Sequence, residues 1–423
     1  MMSPTPAVPA LPEVGLFLGA GASYEWGMPL TWPLTYELLA WLTPEKLREL
    51  NELWHAQGGA LADEVLEDAM RLLRRTDMHF EALLGYLQTQ AWRPQFQKYR
   101  RDYHMLYGKL AEIVYLLLYS RYKSVLFLTR SLRYYEGIAG LAARNTPLWI
   151  FSLNYDMLIE SVAAHHSIPI NCGFTGTTTL IRRDKFGTQI GELEADIITE
   201  EQFQKEGLSY LHPGTSGINL LKIHGSLDMF AMQDKKVFLK LRPLGPGIRG
   251  VLESMRAAYE ELRPTDPGML HIINEIAYTD EHGVVQFLRR SLIAGAYKYD
   301  QRHEQVISES FLNAFKSGIN HVRALICIGY GFGDLHINGI LRNWLEFEPD
   351  RKLVLVSTDP AIPPSLLHVA PQVKLVKQTA TAYLGQYARP LTEDERRAKA
   401  LHDAEIRWVD EEKRTTALTA RAT

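Results

Sequence analysis

VGLFLGAGAS, residues 14–23, sets an unbroken apolar run directly against a glycine-rich turn. Polar residues do not alternate through the run, as expected for a strand buried on both faces of a parallel sheet. Gly19 and Gly21 remove Cβ atoms where the strand ends. The backbone N–H groups of Gly19, Ala20, Gly21, Ala22 and Ser23 can then approach a pyrophosphate. A helix beginning there would add roughly 0.3–1 kcal/mol of attraction for the anion. The spacing is GxGxS, not the GxGxxG of dehydrogenases, and taken alone it suits a tight structural turn equally well.

Four more apolar runs share this character, at residues 148–152, 220–223, 324–328 and 353–357, and each ends in polar or turn residues. Ligands of open α/β sheets sit beyond the carboxyl ends of strands, so the residues after each run are the candidates for chemistry. After the second run come Asn154 and Asp156, which fit either a ligand site or an Asx turn with a helix cap. After the third come His224, Gly225 and Ser226, where an imidazole can take a proton near neutral pH. After the fourth comes IGYGFGD, with Gly329, Gly331 and Asp334. After the fifth comes Asp359, placed either to hold ribose hydroxyls or to make an Asp-Pro turn.

Between the first two runs the spacing predicts helices over residues 44–53, 61–74, 80–90, 99–122 and 123–144, far more than one crossover needs. The organisation expected is a discontinuous core, residues 1–32 and 146–380, a helical insertion over 33–145, and a charged helical tail over 381–423. Residues 171–217 read as hairpins and loops flanking a site. Residues 225–299 read as a short strand over 236–241, Pro- and Gly-rich turns, then mixed helix.

Composition narrows the function classes. At 423 residues with a net charge of −3, the chain has no bias toward nucleic acid or acidic membranes. Two cysteines, Cys172 and Cys327, make neither a disulfide framework nor a four-cysteine zinc site, and a reducing cytoplasm fits them. Residues 1–13 lack the basic n-region of a signal peptide. The apolar stretch at 113–120 is bracketed by Glu112 and Arg121 and reads as a buried helix, since a span needs roughly 20 residues. HExxH, GxxxxGK[ST] and GxSxG are absent from the sequence, and no metal is expected.

Taken in order, the motifs resemble the sirtuin family, in particular its NAD-hydrolysing branch in bacterial antiphage defence. GAGAS with Gly27-Met28-Pro29 is similar to the family's GAGxS…GIP opening. Asn154 and Asp156 match its NxD element, His224-Gly225 its catalytic HG, and residues 329–333 its late glycine-rich turn. The fold implied is a Rossmann-like parallel sheet, sirtuin-like, with a large inserted helical module and no zinc ribbon.

The resemblance implies that NAD is the substrate, cleaved to nicotinamide and ADP-ribose. It puts the pyrophosphate on residues 19–23, with Pro29, Gly225, Ser226, Gly329, Gly331, Asp334 and Asp359 around the dinucleotide. Asn154 would position the water or ribose, Asp156 would grip the nicotinamide carboxamide, and His224 would act as general base. A homo-oligomer is implied, with an activator such as a HerA-type ATPase or a phage-derived trigger. Three departures count against deacylation: the missing cysteines, Leu30-Thr31-Trp32 in place of the deacylases' acidic–aromatic–Arg run, and the large helical insertion. A non-catalytic NAD or ADP-ribose binding subunit stays open as the alternative, with deacylation or ADP-ribosyl transfer behind it.

Overall fold

The computed structural model describes residues 14–56, 58–75, 77–183, 186–232, 236–260, 275–280, 282–292 and 309–422. The first thirteen residues therefore lie outside the described part, as do residues 293–299 of the expected mixed helix. In chain order the strands are β1 (Val14–Leu18), β2 (Leu148–Ser152), β3 (Ile170–Asn171), β4 (Gly176–Arg183), β5 (Gln189–Thr199), β6 (Ile218–Lys222) and β7 (Gly225–Met232). They continue as β8 (Val237–Leu241), β9 (Glu275–Asp280), β10 (Val285–Leu292), β11 (Ala324–Ile328), β12 (Lys352–Ser357) and β13 (Val373–Lys377).

Seven strands form a parallel sheet in the order β13-β12-β11-β1-β2-β6-β3. From β1 the chain lays down β2, the edge strand β3 and then β6 between them, and returns to the other side of β1 to lay down β11, β12 and β13. The direction of winding reverses between β1 and β11, which makes the gap between their ends a topological switch point. Leu16 and Leu18 enter one apolar core and Phe17 the other, so β1 is buried on both faces. Each such side chain contributes about 1.5–3 kcal/mol. The fold class is α/β, with a Rossmann-like parallel sheet.

The hairpin expected within 171–217 is the antiparallel pair β4–β5, and the helix Gly247–Glu260 falls in the stretch expected as mixed. The strands of this region also build a second unit. Strands β10-β7-β8-β5-β4-β9 close an antiparallel barrel. Its β7 and β8 are buried throughout because their alternate residues serve two cores. Phe230, Met232, Leu239 and Leu241 fill the barrel, while Met229, Ala231 and Phe238 join the core beneath the parallel sheet. The strand expected at 236–241 is β8, and the run expected at 220–223 is β6, which starts two residues earlier. Strand β6 belongs to the sheet and β7 to the barrel, so Ile223 and His224 form the turn that joins the two units.

The helical insertion covers one face of the sheet. Leu38, Leu83 and Leu110 share a core with Leu16, Ile150 and Leu220. The stretch expected as one helix over 123–144 is broken into Val125–Ser131, a tighter turn Leu132–Tyr135, and Glu136–Ala142. The charged tail is the 30-residue helix Glu393–Ala422, and it packs along the helix Thr31–Trp41. No helix among the described residues is long and apolar enough to cross a membrane.

Candidate functional site

The glycine turns after β1 and β11 pack back to back. Gly19 N donates to Ile328 O at 3.0 Å and Gly21 N to Gly329 O at 2.9 Å. A Cβ on Gly19 would fall 2.6 Å from Tyr330 Cα, and one on Gly329, at φ +64°, would fall 2.3 Å from Gly21 C. The glycines therefore permit this contact before they permit any ligand. Ala22 N and Ser23 N also bond to backbone carbonyls, Gly19 O and Ala20 O. The expected cradle of five N–H donors is thus largely spent within the protein. The helix expected after the turn is likewise replaced by two short 3₁₀ turns, Ala20–Ala22 and Tyr24–Trp26, and the α-helix begins only at Thr31.

Beside these turns lies a cleft of about 820 Å³. Of the residues singled out in the sequence, Gly19, Ala20, Ser23, Pro29, Asn154, Asp156, His224, Gly329, Gly331 and Asp334 line it. Gly21, Ala22, Gly225, Ser226 and Asp359 are not among its lining residues. Ser226 is fully buried, and its Oγ donates to Tyr155 O at 3.1 Å. Gly225 adopts φ +82° to start β7, and Asp359 is exposed in the bend after β12, where its N–H meets Ser357 Oγ.

Asn154 and Asp156 meet at Ser23. Asn154 Nδ2 donates to Gly19 O at 2.9 Å and lies 3.0 Å from Ser23 Oγ, while Ser23 Oγ donates to Asp156 Oδ2 at 2.5 Å. Asp156 Oδ1 accepts from Leu158 N at 3.0 Å. The bond from Leu158 N to Asp156 Oδ1 is the Asx turn that the sequence allowed, and both Asn154 and Asp156 also line the cleft. Burial pushes the Asp156 carboxyl above its ordinary value, against the pull of the Lys222 ammonium and its two donors.

Lys222 anchors the same loop from beneath. Its Nζ, on a 2 % exposed side chain, bonds to Asp156 O and lies 3.3 Å from Asn154 O. It also stands 3.6 Å from Glu160 Oε2, whose other oxygen takes Lys240 Nζ at 2.8 Å. Lys240 in turn bonds to Asp228 at 2.5 Å. Burial disfavours ionised Glu160, but the two ammonium groups outweigh it and hold the carboxyl below its usual range.

His224 faces the late turn. Its Nε2 lies 3.2 Å from Asp334 Oδ2. Asp334 caps the helix Leu335–Phe347, accepting from His336 N and Ile337 N through Oδ1.

Sequence reasoning missed a set of lining residues supplied by Trp32 and by the helical insertion. Trp32, His79, Phe80 and Glu81 line the cleft, with the Trp32 and His79 rings edge-to-face at 5.9 Å. Trp32 belongs to the Leu30-Thr31-Trp32 run after Pro29, noted above only as a departure and not as a residue lining the cleft. His79 and Glu81 carried no signal, because only the packing of the helix Phe80–Trp92 brings them there. Fold and cleft together define a doubly wound α/β protein with a mixed polar and aromatic cleft at the switch point of its sheet. Comparison of the chain with protein-family models finds no match, and comparison with curated proteins finds none either.

Proposed function

We propose that this chain is a sirtuin-like NAD glycohydrolase that cleaves NAD to nicotinamide and ADP-ribose, and that it serves as an antiphage effector depleting NAD when triggered. The observation carrying this reading is that Asn154 and His224, on separate strand ends, line one cleft with both glycine turns. About 820 Å³ lies within the range of small-molecule and cofactor sites.

Nicotinamide leaves as a neutral pyridine, so no acid need protonate it. The barrier lies in positive charge developing on the ribose, which a water-excluding cleft and an oriented nucleophile lower. Water attacks C1′ of the ribose while the C1′–N bond breaks and its electron pair leaves with nicotinamide. His224 takes the proton from that water and later releases it to solvent. Asn154 orients the water or the ribose, and Asp156 faces the carboxamide. Positioned base catalysis is worth on the order of 10²–10⁴-fold. An enzyme of this kind must stay silent until triggered, and an oligomer or an activating partner such as a HerA-type ATPase would supply that control.

The test is chromatography of NAD after incubation with the full chain, alone and with its genomic neighbours. Equal amounts of nicotinamide and free ADP-ribose are expected. Tight NAD binding without nicotinamide release in any combination would instead identify a binding subunit. Modified protein as the main product would identify a transferase or deacylase.

A further inference from the structure

We propose that Asp334 is a positioning residue for His224, the two forming a carboxylate–imidazole dyad across the switch point. This rests on the reading of His224 as the proton acceptor. The dyad joins the turn after β6 to the turn after β11, which lie on opposite sides of β1 in the sheet.

The carboxylate is built for two duties. Oδ1 accepts the His336 and Ile337 amides at 3.0 and 3.2 Å, which completes the helix cap, while Oδ2 stands 3.2 Å from His224 Nε2. A cap alone needs no charge, since asparagine and serine serve as well. The surrounding turn is braced: Tyr330 Oη lies 3.1 Å from Asp334 O and 2.9 Å from Asn338 Oδ1, and Asn338 Nδ2 donates to Phe332 O at 2.8 Å.

Burial supplies the reason for the charge. The His224 side chain is 3 % exposed and that of Asp334 8 %, so an imidazolium formed there is poorly hydrated. A buried cation without a partner is costly, and the Asp334 carboxylate offsets that cost as His224 takes up its proton. The other titratable groups around the cleft are His79 and Glu81 from the insertion, Tyr155 and Asp156 after β2, and Tyr330 and His336 beside Asp334. Lys222, two residues before His224, is turned to the loop carbonyls and Glu160. A carboxylate at 3.2 Å outweighs more distant groups in setting proton affinity.

The test is Asp334→Asn in the full chain, which keeps the cap and removes the charge. The His224 imidazole is titrated by NMR in histidine-labelled protein, with His224→Gln assigning its resonance. In the variant it should titrate at least about one pH unit lower than in the parent. The acid limb of NAD cleavage should move to lower pH by the same amount. The rate constant kcat should fall about tenfold or more while KM stays within about twofold. A residue that only caps the helix would move none of these. An unchanged imidazole titration overturns the dyad. If Asp334→Asn folds poorly, Asp334→Ser, a second uncharged cap, takes the same titration and is judged the same way. If the parent releases no nicotinamide yet the titration shifts, the catalytic reading fails and the dyad stands.

Discussion

Lys399 Nζ lies 2.7 Å from Glu25 Oε1, a contact that ties the C-terminal helix to the turn beside Ser23 across 374 residues of chain. Glu25 is otherwise held by Thr379 and Thr381, and its backbone carbonyl meets His402 Nε2 at 2.6 Å. Farther along the same helix, Lys413 reaches Glu37 at 2.8 Å. The tail is therefore a strut for the segment between β1 and the helix Thr31–Trp41.

Lys399→Met should lower stability by about 2 kcal/mol. That is less than a fully buried pair would cost, because Lys399 is 17 % exposed and Glu25 keeps its threonine donors. Burial disfavours ionised Glu25, yet Lys399 and Thr381 hold its carboxyl below the ordinary 4.5. A lowered carboxyl contributes stability that is present above 4.5 and lost as pH falls through the folded value. Urea unfolding across pH should show parent and variant converging in acid. A constant gap at all pH values would show that the ion pair is not the cause.

Gly329→Ala should lose several kcal/mol or fail to fold, whereas Gly331→Ala should keep a melting temperature within about 2 °C of the parent. At Gly329 the new Cβ meets Gly21 backbone at 2.3 Å with φ at +64°, while at Gly331 nothing lies within 4 Å. Equal melting curves for the two variants would mean the two glycine turns are not packed as described.

The same glycines show how much was legible in the sequence. Runs with no polar alternation mark β1, β2 and β11 to the residue, because a strand covered on both faces has no other composition to use. Strand β13 escaped because VKLVK, with two lysines in five residues and largely exposed at the sheet edge, is neither an unbroken apolar run nor a strict alternation. The barrel escaped for two different reasons. In β5 the polar side chains of Glu192 and Glu194 alternate with the buried Leu193 and Ala195, which fits the expected hairpin but does not show that it closes into a barrel. In β7 both faces are buried against different cores, so no alternation marks it, and β8 was legible as a strand but not as a barrel member. At the site, strand-end motifs were readable one by one. The Trp32 and His79 lining and the Lys222 anchor were not, since each depends on which segments the fold sets side by side.

Asp156→Asn should separate stability from function. The carboxyl of Asp156 is raised above 3.8, so the folded state holds its proton more tightly than the unfolded chain. A raised carboxyl pKa makes stability fall as pH rises from the unfolded value through the folded one. Asparagine removes that penalty while still offering an oxygen to Ser23 Oγ or Leu158 N. Its melting temperature should therefore match or exceed the parent's at neutral pH, with the difference shrinking toward pH 4. Nicotinamide inhibition of NAD cleavage should weaken by roughly 1–3 kcal/mol equivalent, the cost of an unpaired buried amide. Unaltered nicotinamide inhibition would remove Asp156 from ligand recognition.

His224→Ala and Asn154→Ala should each lower NAD cleavage by about 10²-fold or more, but for reasons that stability measurements can tell apart. The buried His224 imidazole stands 3.2 Å from Asp334 Oδ2, so truncating it strands that carboxylate and should cost stability that is regained when Asp334→Asn is added. Asn154 donates to Gly19 O and contacts Ser23 Oγ, so its truncation also strips the first glycine turn of a partner and should cost about 1–2 kcal/mol. Asn154→Asp keeps the size and loses the donor, and it places a carboxylate near Gly19 O and Asp156, so it should be worse than alanine in both measurements. Parent-level cleavage by His224→Ala and Asn154→Ala in the same assay would remove both residues from the chemistry, whatever their position in the cleft.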